Sequence, residues 1–139
     1  MTLPKNLEVL DELLREAVRD GSTTLTDPLQ DRGLSSIGDT YLNFIYSLAV
    51  SLRDKSLSSL RISNKALAEA MKQSGFRSLL PHRLSTHDIG NSAEAMVVYA
   101  IVNELASTGE IFQALMNSEN LTEALTDEFK KIKSRWPSG

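Results

Sequence analysis

The hydrophobic positions of this chain recur at helical spacing along most of its length. In residues 3–18 the apolar side chains follow one another at intervals of three and four, which predicts a one-sided helix ending near Gly21. The segment 34–52 becomes apolar around nearly its whole circumference, which is typical of a central helix buried on several sides. Residues 21–33 collect glycine, threonine, aspartate and proline, so we expect a loop there.

The second half of the chain shows the same helical periodicity in shorter segments. Its predicted helices lie at 64–74, about 91–106, 109–117 and 121–135. Ser63 is expected to cap the first of these helices, and Gly75 to end it. Apolar and polar residues do not alternate cleanly in any stretch long enough for a strand. The pattern therefore predicts an all-α fold, a compact bundle of about six helices.

Length and composition are compatible with one domain spanning residues 1–139, because 139 residues is close to the usual size of a single domain. The chain has no cysteine, so neither disulfides nor a zinc site with thiolate ligands is expected. We find no signal-peptide pattern and no apolar run near the ~18 residues of a membrane span. A cytoplasmic location without membrane contact is the resulting expectation.

The charge of the chain is unevenly distributed. A net charge of −3 argues weakly against a general nucleic-acid-binding protein, because phosphate contacts require lysine and arginine. Residues 1–50 hold four basic and eight acidic side chains, whereas residues 53–83 hold seven basic and two acidic ones. This basic middle segment is either a solvated helix face, which charge counting alone favours, or a surface that contacts phosphate.

Two carboxylates stand out because each lies on an otherwise nearly uncharged, apolar helix. Asp39 follows Gly38, and Glu94 follows Asn91 by three residues. Each acid has a structural explanation: Asp39 as a carboxylate near a helix N-terminus, and Glu94 as the second half of a capping box opened by Asn91. Alternatively, the two acids meet in space and hold a divalent cation, because hard cations take oxygen ligands. The residues alone leave both explanations open.

Three segments of the chain resemble the catalytic domain of ribonuclease III. The stretch GLSSIGDTYLNFIYSLAVS is similar to the family's signature helix, SNKALAEAM to its Asn-Lys-x-Leu-Ala-Glu segment, and NSAEAMVVYAIV to its second acidic helix. They occur in the family's order, and the resemblance covers roughly residues 30–135. It implies a ribonuclease III-like fold in which Asp39 and Glu94 match the essential aspartate and glutamate.

Two further acids of the family pattern are replaced in this chain. Ser35 stands four residues before Asp39, and Asn91 three before Glu94, where the full-length enzymes usually have carboxylates. Helical spacing keeps each replacement on the face of its partner, so Ser35 and Asn91 are expected to hold metal-bound water. The reduced set is similar to the Mini-III type of the family, which lacks a double-stranded-RNA-binding domain.

The resemblance implies a Mg²⁺-dependent endoribonuclease, with Mn²⁺ as a substitute, that hydrolyses double-stranded or structured RNA. It also implies a homodimer packed through the signature helices, with Ser36, Ile37 and Leu42 at the contact. The side chains expected to contact RNA are Arg53, Lys55, Arg61, Lys65, Arg83, His82 and His87.

Two other functions remain open. The replacements Ser35 and Asn91 are also compatible with a ribonuclease III-like protein that binds RNA or a ribonucleoprotein without cutting it. The acidic net charge is compatible with a helical protein-interaction module that has no role in RNA metabolism. Cleavage of duplex RNA in Mg²⁺ would distinguish the nuclease from both, and tight duplex binding at moderate salt would exclude the interaction module.

Overall fold

The computed structural model describes residues 7–21 and 27–137, and within them the chain forms six α-helices and no strand. The helices are α1 (Leu7–Gly21), α2 (Arg32–Asp54), α3 (Asn64–Ser74), α4 (Thr86–Val102), α5 (Thr108–Asn117) and α6 (Leu121–Arg135). Short 3₁₀ turns lie at Pro28–Gln30 and Phe76–Leu79. The all-α prediction is confirmed. The predicted helix residues 3–6 and residues 22–26 of the predicted loop lie outside the described residues.

Helix α3 has the bounds that the sequence predicted, because both of its ends are set by local chemistry. The Ser63 side chain accepts the backbone N–H of Ala66 at 3.1 Å, which satisfies a donor that the first turn leaves free. At the other end Gly75 adopts a left-handed conformation with φ of 95°, which glycine tolerates without steric cost.

Helix α4 begins five residues earlier than predicted and ends at Val102, four residues before the expected position. Its cap is Ser85, whose hydroxyl accepts the backbone N–H of Asp88 at 3.0 Å. The first two turns are mostly polar and carry a single large apolar side chain, so hydrophobic periodicity did not detect them. Asn91 is consequently the sixth residue of α4 and Glu94 the ninth. The capping-box explanation of Glu94 is therefore wrong.

Helix α2 also begins before the predicted position, at a cap formed by Asp31. The Asp31 carboxylate accepts the backbone N–H of Leu34 at 3.0 Å. Asp39 is thus the eighth residue of α2. The favourable effect of a helix N-terminus on an acid falls off within the first turn. The helix dipole therefore does not explain the presence of an acid at position 39.

The core of the molecule is centred on α4, which is buried along most of its length between α2 and α3. Helix α5 packs on α2, and α6 on α3. Helix α1 is attached through the buried Asp11, whose carboxylate accepts the Thr108 backbone N–H at 3.1 and 3.2 Å and the Thr108 hydroxyl. The Tyr41 hydroxyl lies 2.7 Å from the same threonine oxygen, so one polar network joins α1, α2 and α5. None of the described helices is both long enough and apolar enough to cross a membrane.

Candidate active site

The two central helices α2 and α4 touch at Gly38. A Cβ atom placed there would lie 2.3 Å from the backbone oxygen of Glu94 and 3.0 Å from its Cβ, so a side chain at this position would force the helices apart. The close contact brings the next residue of α2, Asp39, against the side chain of Glu94. The structure therefore brings together the two acids that the sequence singled out.

Glu94 is a buried acid, with 5% of its surface exposed. Burial raises the pKa of its carboxyl to about 8, and a hydrogen bond to Asp39 and the negative charge of Asp39 act in the same direction. The positive charge of Arg61 opposes the rise of the Glu94 pKa only in part. The raised pKa therefore favours the protonated form of Glu94 at neutral pH.

Asp39 is the more exposed acid of this pair, and its carboxylate accepts hydrogen bonds from two donors. Asn43 Nδ2 lies 2.8 Å from Asp39 Oδ1, and Arg61 Nη2 lies 3.1 Å from the same oxygen. The Arg61 side chain is 76% exposed, so its guanidinium is not buried beside Asp39. The carboxylate thus remains accessible to another cation. A permanently buried ion pair, which would rule out metal binding, is not what the structure has.

Ser35 and Asn91 line the same small cleft, about one helical turn before the acids on α2 and α4. Both line a cavity of about 190 Å³ between the start of α2 and the first half of α4. Asn91 Nδ2 lies 3.3 Å from His87 Nε2, and Asn64 Nδ2 lies 3.2 Å from His87 Nδ1. A neutral imidazole accepts through one ring nitrogen only, so one of these two amides turns its oxygen towards the ring. His87 is in the first turn of α4, ahead of the predicted start of that helix near residue 91.

The predicted RNA-contacting residues do not form one cluster in the structure. Arg61 reaches the acids, whereas Arg53 and Lys55 lie at the far end of α2, roughly 20 Å along the helix from Asp39. Arg53 Nη1 donates to the backbone oxygen of Ser118 at 2.8 Å, so it secures the end of α5. The remaining residues of the set are exposed, namely Lys65 at the start of α3 and His82 and Arg83 in the loop before α4.

The predicted dimer contact is only partly accessible. Ser36 and Ile37 are exposed on α2, but Leu42 is 1% exposed and packs in the core, so its place at a contact between two copies is wrong. Helix α2 also exposes three apolar side chains that were not predicted at the contact, Phe44, Leu48 and Leu52. These side chains recur every four residues, but the sequence does not identify them as an exposed face because nearly every face of α2 is apolar.

The donor set at Asp39 and Glu94 suits magnesium. Among the described ranges no group of three or more histidine, cysteine, aspartate or glutamate residues could hold a metal, which leaves this site with two carboxylates. Magnesium keeps several waters and is commonly bound through one or two carboxylates, so two acids beside a polar cleft fit it. Two oxygen ligands and no nitrogen or sulfur are a poor fit for a structural zinc site.

A second pair of acids, Glu110 and Glu128, lies between α5 and α6. Burial raises the pKa of the Glu128 carboxyl to about 7, and the charge of Glu110 and a hydrogen bond to it contribute. Cations already face this pair, because Arg135 Nη1 lies 3.1 Å from both Glu110 oxygens and Lys131 Nζ lies 3.8 Å from Glu128. We interpret it as a structural contact between the two helices.

The comparisons with known proteins agree with this geometry. A search of curated proteins found no match to the chain. A family model described as ribonuclease III matches residues 32–135, which include α2 to α6 and both acids of the site. The match covers well over half of the chain and confirms the resemblance found in the three sequence segments. The chain therefore belongs to the ribonuclease III family.

Proposed function

We propose that this protein is a metal-dependent endoribonuclease that hydrolyses phosphodiester bonds in double-stranded or structured RNA. The observation that carries the proposal is the meeting of Asp39 and Glu94 across the Gly38 contact. Neither acid caps a helix. Burial of the Glu94 carboxyl costs free energy that a purely structural role does not explain. A site for a divalent cation gives both acids a role.

In this proposal Asp39 and Glu94 hold Mg²⁺, for which Mn²⁺ substitutes. The bound cation would supply a polarised water and offset negative charge on the phosphate. Once Glu94 has lost its proton to solvent, both carboxylates would serve as oxygen ligands. Ser35 and Asn91, which line the adjoining cleft, orient water through their side-chain oxygens in place of the family's two further acids.

The substrate class follows from the family and from the basic side chains near the site. Duplex RNA is recognised mainly by shape and through backbone and 2′-hydroxyl contacts, so a few exposed cations suffice without base-specific pockets. Arg61 contacts Asp39, and Lys65 and Arg83 are exposed at the start of α3 and in the loop before α4. We expect these three side chains to contribute most of the phosphate contacts.

A homodimer formed through α2 is the second part of the proposal. Phe44 is 59% exposed and, with Leu48 and Leu57, lines an open groove of about 600 Å³. An apolar groove of this kind on a small protein is typical of an interaction surface. Two copies that pack on this face, with Ile37 at its edge, would cover the exposed apolar side chains.

The test of the proposed activity is incubation of long duplex RNA with the protein and Mg²⁺, analysed on a gel. We expect cleavage by the wild-type protein and by Glu119→Gln, which neutralises an exposed acid in the turn between α5 and α6. Asp39→Asn and Glu94→Gln should both lose it.

The alternatives give different results in the same assay. If the wild-type protein binds duplex RNA with a steep salt dependence but leaves it intact in Mg²⁺ and Mn²⁺, it is a catalytically impaired RNA-binding member of the family. The replaced acids at Ser35 and Asn91 favour this second candidate. If the protein neither binds nor cleaves the duplex at moderate salt, the interaction module is the better description.

A further inference from the structure

A ladder of hydrogen bonds along α2 fixes the segment that precedes α3. Three polar side chains spaced four residues apart on α2 bind the backbone of residues 58–62. The ladder joins Ser51 to Ser58 at 2.9 Å, Ser47 to Leu60 at 2.8 Å and Asn43 to Ile62 at 2.6 Å. Ser47 and Ser51 also donate to the carbonyl oxygens of the same partners. The segment thus runs antiparallel to α2 and is held at every second residue.

The hydrogen bonds of the ladder recur regularly because one turn of α2 and two residues of the bound segment advance by nearly the same distance. Four residues of α-helix rise about 6 Å, and two residues of extended chain advance about 6.6 Å. Each step along the segment therefore meets the next polar side chain of α2. Between the last two steps lies Arg61, and one turn beyond Asn43 on α2 lies Asp39. The ladder consequently positions Arg61 so that its guanidinium contacts the carboxylate of Asp39.

Asn43 connects the ladder to the site directly. Its oxygen accepts the Ile62 N–H, and its nitrogen donates to the Asp39 oxygen that Arg61 also contacts. The backbone of residues 60–62 is therefore fixed relative to Asp39. The Arg61 side chain, by contrast, is mostly exposed, and an exposed ion pair of this type is weak. The backbone of Arg61 is therefore held in place, while its guanidinium is free to exchange partners.

We propose that Arg61 is an exchangeable counter-ion of Asp39, which leaves the carboxylate when a divalent cation binds and then contacts a phosphate of the substrate. The guanidinium has a fork of donors that matches a phosphate as well as a carboxylate. Asn43 and Ser47 act as positioning residues that keep Arg61 within reach of both partners. This inference rests on the proposed cation site at Asp39 and Glu94.

The first experiment measures Mn²⁺ binding without substrate, from the free Mn²⁺ signal in electron paramagnetic resonance. Arg61→Ala should bind Mn²⁺ about two- to fivefold more tightly than the wild-type protein, because the competing exposed ion pair is gone. Ser47→Ala, which removes one step of the ladder, should shift Mn²⁺ affinity in the same direction. Lys72→Ala is the matched control, since it removes one exposed cation of α3 that does not contact Asp39.

The second experiment measures binding of duplex RNA in saturating Ca²⁺ at several salt concentrations. Arg61→Ala should bind more weakly and lower the slope of log affinity against log salt by about one phosphate contact. Arg61→Lys keeps the charge without the fork, so it should retain the slope but only part of the affinity.

The outcomes separate this inference from the proposed function. Equal Mn²⁺ affinity in the wild-type protein and Arg61→Ala, or an equal gain in Lys72→Ala, would overturn the role of Arg61 while leaving the cation site intact. If Asp39→Asn binds Mn²⁺ as tightly as the wild-type protein, the cation site itself fails, and the inference fails with it. Tighter binding confined to Arg61→Ala and Ser47→Ala would support the exchange.

Discussion

Replacing Glu94 by glutamine should remove the activity and at the same time stabilise the fold at neutral pH. The pKa of the Glu94 carboxyl is about 8 in the folded protein, against an ordinary value of 4.5. Above pH 4.5 the unfolded chain ionises this group, while the folded chain retains its proton until the pH approaches 8. The folded state thus binds more protons across this range, so the free energy of unfolding falls as the pH rises through it.

The size of the effect follows from the same pKa. From pH 4.5 to pH 7, at about 1.36 kcal/mol per pH unit, the cost reaches roughly 3 kcal/mol at most. Glutamine is never ionised, and its amide can still donate a hydrogen bond to Asp39. We therefore expect Glu94→Gln to raise the free energy of unfolding by about 1–3 kcal/mol at pH 7, and to change it little at pH 4.5.

The assay is urea denaturation of the wild-type protein and of Glu94→Gln between pH 4.5 and pH 8, with a chelator present to exclude metal effects. Glu119→Gln, at an exposed position, serves as the control and should show no pH-dependent gain. Addition of Mg²⁺ should stabilise the wild-type protein more than Glu94→Gln, because a ligand that binds only the folded state raises its stability. If Glu94→Gln is equally or less stable than the wild-type protein at both ends of the range, ionisation of Glu94 is not the cost that we infer.

Three further predictions concern the site crossing, the attachment of α1 and the exposed face of α2. Gly38→Ala should lower the free energy of unfolding by about 1–3 kcal/mol in urea and abolish RNA cleavage, because the added Cβ separates α2 from α4; an unchanged unfolding midpoint would contradict this. Asp11→Ala should cost about 1–3 kcal/mol in the same measurement, since the buried N–H of Thr108 loses its acceptor, whereas Asp11→Asn should recover part of it. Phe44→Glu should shift the mass measured by light scattering from dimer to monomer, and a wild-type protein that is monomeric at micromolar concentration would exclude the proposed contact.

The sequence predicted helices well where their ends carry local chemistry. Both ends of α3 were predicted because Ser63 and Gly75 have strong conformational preferences. The start of α4 was missed because its first two turns are polar except for Ile89, and such a helix start resembles a loop when judged by hydrophobic spacing alone. Only the serine cap at Ser85 could have indicated it. The existence of α4 was nevertheless predicted, because its buried half is apolar on most sides.

The residues on the surface of α2 could not be predicted from its sequence. Leu42 and Phe44 are both apolar and two positions apart, yet the first is in the core and the second is exposed. When nearly every face of a helix is apolar, periodicity does not distinguish the face that packs on the core from the face left open. Burial of Leu42 therefore followed only from the positions of α4 and α5 around it.

The approach of the two acids is a property of tertiary packing with one local determinant. The sequence placed Asp39 and Glu94 on separate helices, but whether those helices cross at the acids depends on the absence of a side chain at Gly38. A helix crossing this tight brings a buried acid against a second acid, and the free energy of unfolding is lower as a result. The positions of Asn43 and Arg61 reduce that cost only at the exposed end, where Asp39 meets solvent. Within residues 7–21 and 27–137 no comparable donor is hydrogen-bonded to Glu94, so the pair is most stable when a proton or a cation lies between its oxygens. A cation with two positive charges neutralises both carboxylates where a proton neutralises one, and this difference is the physical reason to expect binding of a divalent metal at this crossing.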